Sequence, residues 1–271
     1  MENKPLTCAY STCPNDTFIF CRLAQETGVE VHLHDVETLN HMAFKEQFDI
    51  TKLSFHAWLL VQDTYELLHV GAALGRGCGP LVICKNNSQS LVGQYVPHLR
   101  RCDKVAVPGE YTTAHLLLRL WSPGIKNRIF MPFDQIMGAV ESGEADAGVI
   151  IHEGRFVFEE RGFRCLQDLG AWWEGETGLP IPLGCIAARK SLGAKRIAEI
   201  ERQLRRSIQT ALDDPGSTSE YVKAHAQELE DEVIHKHIET YVNDFTLNLG
   251  NEGRAAIEKL KRMAQDAKII N

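Results

Sequence analysis

Asp146-Ala-Gly-Val-Ile-Ile-His152-Glu-Gly-Arg-Phe156 sets a run of small apolar residues directly against a lone imidazole. Ala147 to Ile151 has the composition of a strand buried on both faces of a parallel sheet. Glu153 and Gly154 open a helical pattern immediately afterwards, so His152 occupies the joint where strand gives way to helix. Ligands of open α/β sheets collect at the carboxyl ends of strands, which makes this imidazole a candidate to face a substrate. A histidine hydrogen-bonded in a packed turn has the same local signature.

Upstream, Lys104 to Val107 and Arg128 to Met131 read as strands, with Thr112 to Trp121 and Phe133 to Ser142 as helices. This β-α-β-α-β alternation argues for an α/β unit with a largely parallel sheet. Thr112, at the helix start, has a counterpart near the N-terminus, where the strand Leu6 to Tyr10 leads into Ser11-Thr-Cys-Pro14-Asn15-Asp16. Proline near the first helical position and an acidic first turn mark a helix N-terminus, whose amides favour an anion or a polar ligand oxygen. Two such starts can face each other across a cleft. Between them, Lys52 and Ser54 share one face of a strand that runs into a helix, so an ammonium and a hydroxyl can converge on one ligand. An exposed lysine beside a helix cap fits the same pattern.

Other motifs carry less. Gly75-Arg-Gly-Cys-Gly-Pro80 lacks the Lys-Ser/Thr of a phosphate loop and is followed by a strand, so it reads as a glycine-rich bend entering a crossover. His32 and His34 lie on one strand face without a third ligand, and no metal is expected. Trp172-Trp173 reads as core packing. Glu232 and His235 read as solvated helix surface, with His237 off that face. From Leu192 onward the chain is helical by periodicity, over Ile197 to Leu212, Ser219 to Leu229 and Glu232 to Val242.

Crossover strands near residues 81–88 and 182–190 divide the chain into a discontinuous first lobe, 1–85 and 188–271, and an inserted second lobe, 86–187. Two α/β lobes joined by two strands is the architecture of the type II periplasmic-binding-protein fold, with the ligand between the lobes. The chain of 271 residues is 44% hydrophobic and 24% charged, a globular profile, and its net charge of -7 gives no basic face for nucleic acid or an anionic membrane. The eight cysteines form no C-x-x-C pair, and the N-terminus shows no charged segment followed by an apolar one. A cytoplasmic protein with buried thiols is expected, Cys13 being the one thiol set apart by its place at a helix start.

Ser11-Thr-Cys-Pro-Asn-Asp-Thr-Phe-Ile-Phe, Asp35-Val-Glu-Thr-Leu-Asn, Thr51-Lys-Leu-Ser, Ala73-Leu-Gly-Arg-Gly, Val107-Pro-Gly, Thr112-Thr-Ala, Ile150-Ile-His-Glu, Asp168-Leu-Gly-Ala-Trp-Trp-Glu and Thr177-Gly-Leu-Pro span nearly the whole chain. Together these runs resemble the 1,4-dihydroxy-6-naphthoate synthases of the futalosine route to menaquinone; Thr12 stands where that family usually has proline. The resemblance implies a cofactor-free carbon–carbon lyase that converts cyclic dehypoxanthine futalosine, a carboxylated small molecule, to 1,4-dihydroxy-6-naphthoate and a released sugar fragment. It implies His152 as proton acceptor and substrate contacts at Lys52, Leu53, Ser54, Thr113 and Ala114, to which the helix-start residues Ser11, Asn15 and Thr112 are added. The group that reprotonates the product is open, Asp16 and Glu153 being candidates. Three alternatives stand beside this reading: chorismate dehydratase of the same pathway and fold, a non-catalytic small-molecule receptor, and an acidic interaction module.

Overall fold

The computed structural model describes residues 5–26, 28–86, 104–226 and 230–271; the expectations for residues 87–88, Cys102 and 227–229 fall outside these. The chain runs β1 (Leu6–Tyr10), α1 (Pro14–Phe20), β2 (Val29–Leu33), α2 (Val36–Ala43), β3 (Ile50–Ser54), α3 (Phe55–Val61), β4 (Tyr65–Leu67), β5 (Ala73–Gly75) and β6 (Leu81–Lys85). Next come β7 (Val105–Val107), α4 (Thr113–Trp121), β8 (Arg128–Phe130), α5 (Ile136–Ser142), β9 (Ala147–Ile150), α6 (Gly154–Val157), β10 (Phe163–Asp168) and α7 (Leu169–Thr177). It ends with β11 (Ile181–Arg189), α8 (Ala194–Asp213), α9 (Ser219–His225), α10 (Asp231–Tyr241), α11 (Asp244–Leu247) and α12 (Gly250–Asp266). None of the described helices is long and apolar enough to cross a membrane.

Two sheets follow from the strand patterns. The first has the order β2-β1-β3-β11-β4, with β5 also beside β11. Its faces are set by the period-2 alternation of apolar side chains. Leu6, Cys8, Tyr10, Ile50, Ile186 and Ala188 share a core with Phe18 and Phe20 of α1 and with Ile200 and Leu204 of α8. Ala9, one step out of phase, packs with Leu39 of α2. All of β3 is buried at the centre of this sheet, so Lys52 is carried into the interior by its neighbours Ile50, Thr51 and Leu53.

The second sheet has the order β10-β6-β9-β7-β8. β7 is parallel to β8 and β9, but β6 is antiparallel to β9 and β10, so the sheet is mixed rather than largely parallel. Gly148 explains the small residues of β9: a Cβ there would stand 2.5 Å from Ile136 Cγ2, so only glycine lets α5 lie this close to the strand.

The lobe boundaries differ from those expected. β6 pairs wholly within the second sheet and β11 wholly within the first, so the chain crosses at 76–80 and again between Asp168 and Ile181, before 85/86 and 187/188. An apolar run shows that a strand exists; its sheet is set by long-range pairing, here Leu81 opposite Ile150 and Gly184 opposite Ser54. At the first crossing Gly79 lies against Gly170, where an added Cβ on Gly79 would stand 2.3 Å from the Cα and N of Gly170. Gly79→Ala is therefore expected to cost about 1–3 kcal/mol through forced backbone displacement. An unchanged urea midpoint would refute the close approach.

Candidate active site

His152 follows β9 after one residue and has φ of 56°, one of the few non-glycine residues here in the left-handed region. Such a conformation costs a side-chain-bearing residue about 1–2 kcal/mol, a strain that is retained where the surroundings impose it. It turns the half-buried ring toward the first lobe. There Cys13 Sγ lies 3.2 Å from Nδ1, Phe133 packs at 4.8 Å between ring centroids, and His237 is stacked at 6.0 Å with an interplanar angle of 11°. Burial lowers the His152 pKa below its ordinary value, with Lys52 pushing the same way and Glu153 and Asp16 opposing. The imidazole is thus neutral near pH 7 and able to accept a proton. Burial pushes the Cys13 thiol far up, aided by the Asp16 charge, so the sulfur stays protonated.

Opposite His152 the buried Lys52 ammonium forms an ion pair with Asp16, Nζ lying 2.6 Å from Oδ1. Asp16 is itself held by Ser11 Oγ at 2.6 Å and by Asn15 Nδ2 at 3.1 Å. Ser54 is fixed by Asn40, whose Oδ1 accepts from the Ser54 amide at 3.0 Å and whose Nδ2 donates to Ser54 Oγ at 3.1 Å. That leaves the Ser54 hydroxyl proton to donate outward.

The second lobe contributes the start of α4. Thr112 caps it, accepting from the His115 amide at 3.2 Å, so the amides of Thr113 and Ala114 remain for a ligand. The Thr113 hydroxyl is not free for one: it donates to Leu183 O at 2.7 Å, across to β11. Glu37 Oε1 also accepts from the Tyr111 amide at 3.0 Å, so the lobes meet directly beside the site.

This contact includes His56, whose Nδ1–H donates to Thr112 O at 3.2 Å, and His115, whose Nδ1–H donates to Glu110 O at 2.7 Å. Burial lowers both pKa values to about 4, with mutual repulsion adding to the shift of His56. Each imidazole is neutral in the fold and gains a proton on unfolding between pH 6.5 and 4. Their contribution to stability is complete above about pH 6.5 and is lost as pH falls toward 4, by roughly 3 kcal/mol per histidine at most. Urea unfolding across this range is expected to show the decline, and His56→Asn to flatten it. A wild-type profile level from pH 7 to 4.5 would contradict it.

Between the lobes these groups line a cleft. Ser11, Asn15, Lys52, Leu53, Ser54, Thr112, Thr113, Ala114 and His152, scattered in sequence, all border it. Its donors (ammonium, hydroxyl and helix amides) suit a carboxylate and other oxygen acceptors, and its imidazoles suit acidic protons.

The model of the menaquinone-biosynthesis family matches residues 6–266. The chain belongs to that family. Two relatives named 1,4-dihydroxy-6-naphthoate synthase bear this out. The one from Thermus thermophilus is 45% identical over 266 residues, covering 95% of this chain and 93% of the relative. The one from Streptomyces coelicolor is 43% identical over 270 residues, covering 96% and 93%. The fold has the architecture of the periplasmic binding proteins: the alkanesulfonate-binding protein SsuA of Xanthomonas axonopodis superimposes with a TM-score of 0.71 at 13% identity, over 99% of this chain and 94% of that one.

In this member of the menaquinone-biosynthesis family, His237 and Tyr241 also border the cleft, and sequence reasoning had missed both. Glu232 and His235 of α10 are exposed as expected, but His237 is buried on the opposite face. The pattern signals burial but not the cleft: Ile234, His237, Ile238 and Tyr241 form the apolar stripe of α10, with an imidazole in it. Asn40, which orients Ser54, was likewise unmarked. Trp173 packs in the core with its indole N–H on Pro180 O at 3.0 Å, as core packing required.

Proposed function

We propose that this protein is a carbon–carbon lyase that converts cyclic dehypoxanthine futalosine to 1,4-dihydroxy-6-naphthoate and a released sugar fragment, with His152 as the general base. The observation that carries the proposal is a neutral imidazole held in a left-handed conformation at the end of β9, facing Lys52, Ser54 and the free amides of α4 across the cleft. The donors bind the substrate carboxylate and hydroxyls from both lobes, and His152 removes a carbon-bound proton. In the tautomer that carries its proton on Nδ1, beside Cys13 Sγ, Nε2 is the accepting nitrogen. Aromatisation of the product supplies the driving force without metal or nicotinamide. Closure of the lobes over the substrate excludes water from the reacting centre. The reading also has the protein act in the cytoplasm.

Two tubes of purified protein decide the matter, one with cyclic dehypoxanthine futalosine and one with chorismate. Dihydroxynaphthoate detected by mass in the first supports the lyase. Turnover of chorismate alone would replace it with a dehydratase, and binding without turnover in either would make the protein a receptor.

A further inference from the structure

The hydrogen-bond network around Asp16 fixes the protonation of a histidine outside the general-base assignment. Asp16 accepts from Ser11 Oγ and from Asn15 Nδ2. The amide nitrogen of Asn15 is therefore the end turned to Asp16, and its Oδ1 is left as an acceptor. That oxygen lies 2.9 Å from His237 Nε2, a contact between residues 222 apart in sequence. Since Oδ1 can only accept, Nε2 carries the proton and Nδ1 is a bare lone pair. This Nδ1 is fully buried and has no hydrogen-bond partner among the described residues, on a side chain only 1% exposed that borders the cleft. Tyr241 packs on the ring at 4.7 Å and His152 is stacked against it, which holds its orientation. A cationic imidazole is disfavoured here, because burial holds the His237 pKa well below the usual histidine range, with His152 and Lys52 pushing the same way.

A buried acceptor without a donor costs about 1–3 kcal/mol, a cost that is removed when a ligand supplies the donor. The other first-lobe acceptor at the cleft, the Asp16 carboxylate, is already engaged by Ser11, Asn15 and Lys52, so His237 Nδ1 is the acceptor there that is left without a donor among the described residues. We propose that His237 Nδ1 accepts a hydrogen bond from a hydroxyl group of the substrate, making His237 a substrate-binding and specificity-determining residue, distinct in role from the base His152. This rests on the lyase reading for the identity of the substrate, but the protonation state does not depend on it.

Nitrogen-15 NMR of the imidazoles in the wild-type protein should show His237 as the Nε2–H tautomer, with the Nδ1 resonance shifting when cyclic dehypoxanthine futalosine binds. An Nδ1–H tautomer, or no shift on binding, would overturn the proposal. Kinetics give a second, independent reading. His237→Gln can keep the donor to Asn15 but places no acceptor at the Nδ1 position, and it should raise KM at least tenfold while kcat stays within about threefold. His237→Asn, with a polar atom near the Nδ1 position, should recover part of that loss. Substrate analogues lacking single hydroxyls should include one that loses as much affinity for the wild type as the glutamine variant loses for the full substrate, and that the variant does not distinguish. An unchanged KM in a stably folded His237→Gln, or sensitivity to every analogue equal in both proteins, refutes the hydroxyl contact. If wild-type protein converts no substrate, the lyase reading fails, and the tautomer measurement still decides the state of His237.

Discussion

His152→Asn is expected to fold as the wild type does and to lose product formation by at least two orders of magnitude, the usual weight of a general base. Asparagine is chosen because its short polar side chain tolerates the left-handed backbone that this position requires, φ being 56°. Its amide cannot take a proton near neutral pH, so kcat should collapse while KM changes little. The pH profile supplies the sign. A base must be unprotonated to act, and the pKa of His152 is lowered from 6.5, chiefly by burial. In the wild type kcat/KM should therefore be level through neutral pH and fall only on the acid side of pH 6.5, as the imidazole gains its proton. The residual activity of the variant should lack that limb. A variant with near-wild-type turnover, or one retaining the same acid limb, would assign the proton transfer to another group.

Replacing Lys52 should affect both stability and binding, because the ammonium is buried in an ion pair at 2.6 Å from Asp16. Lys52→Met leaves the Asp16 carboxylate in the interior without its cation. Removing one partner of a buried pair typically costs about 3–5 kcal/mol, a large share of the stability of an ordinary domain. Substrate binding should weaken as well, with KM raised at least tenfold as the cation for the carboxylate is lost. Adding Asp16→Asn to Lys52→Met separates the two effects, since it removes the stranded charge and should restore most of the stability but none of the affinity. Urea unfolding and KM for the wild type, the single and the double variant test this. If the single variant is as stable as the wild type, the ion pair is not the buried contact described; if its KM is unchanged, Lys52 does not bind the substrate carboxylate.

The parts of the site that could be read from the sequence are those written in local pattern. A strand ending at His152, a proline-led helix start at Ser11 and a threonine cap at Thr112 are each specified within a few residues, because capping and alternation act over one turn or one strand. His237 was hidden for the same reason. Nothing within α10 distinguishes an imidazole facing a core from one facing a cleft, and its partner Asn15 lies 222 residues away. Ser54 was marked as a ligand contact, but Asn40, which orients its hydroxyl, is ordinary helix sequence. Thr113 was marked as well, yet its hydroxyl is spent on the β11 backbone, so only its amide faces the ligand.

Sequence alone determined that this chain forms two α/β lobes with a histidine at a strand's carboxyl end, since hydrophobic periodicity dictates which elements form and which faces they bury. The family could be read there too, from runs of residues spread along nearly the whole length. Tertiary structure decided the rest. It assigned β6 and β11 to their sheets, which moved both crossings. It also set Asp16 against Lys52 and fixed, through Asn15, which nitrogen of His237 carries the proton. These outcomes depend on pairing buried polar groups and strand edges that are distant in sequence. The free-energy penalty for leaving such groups unpaired arises only once the lobes are packed.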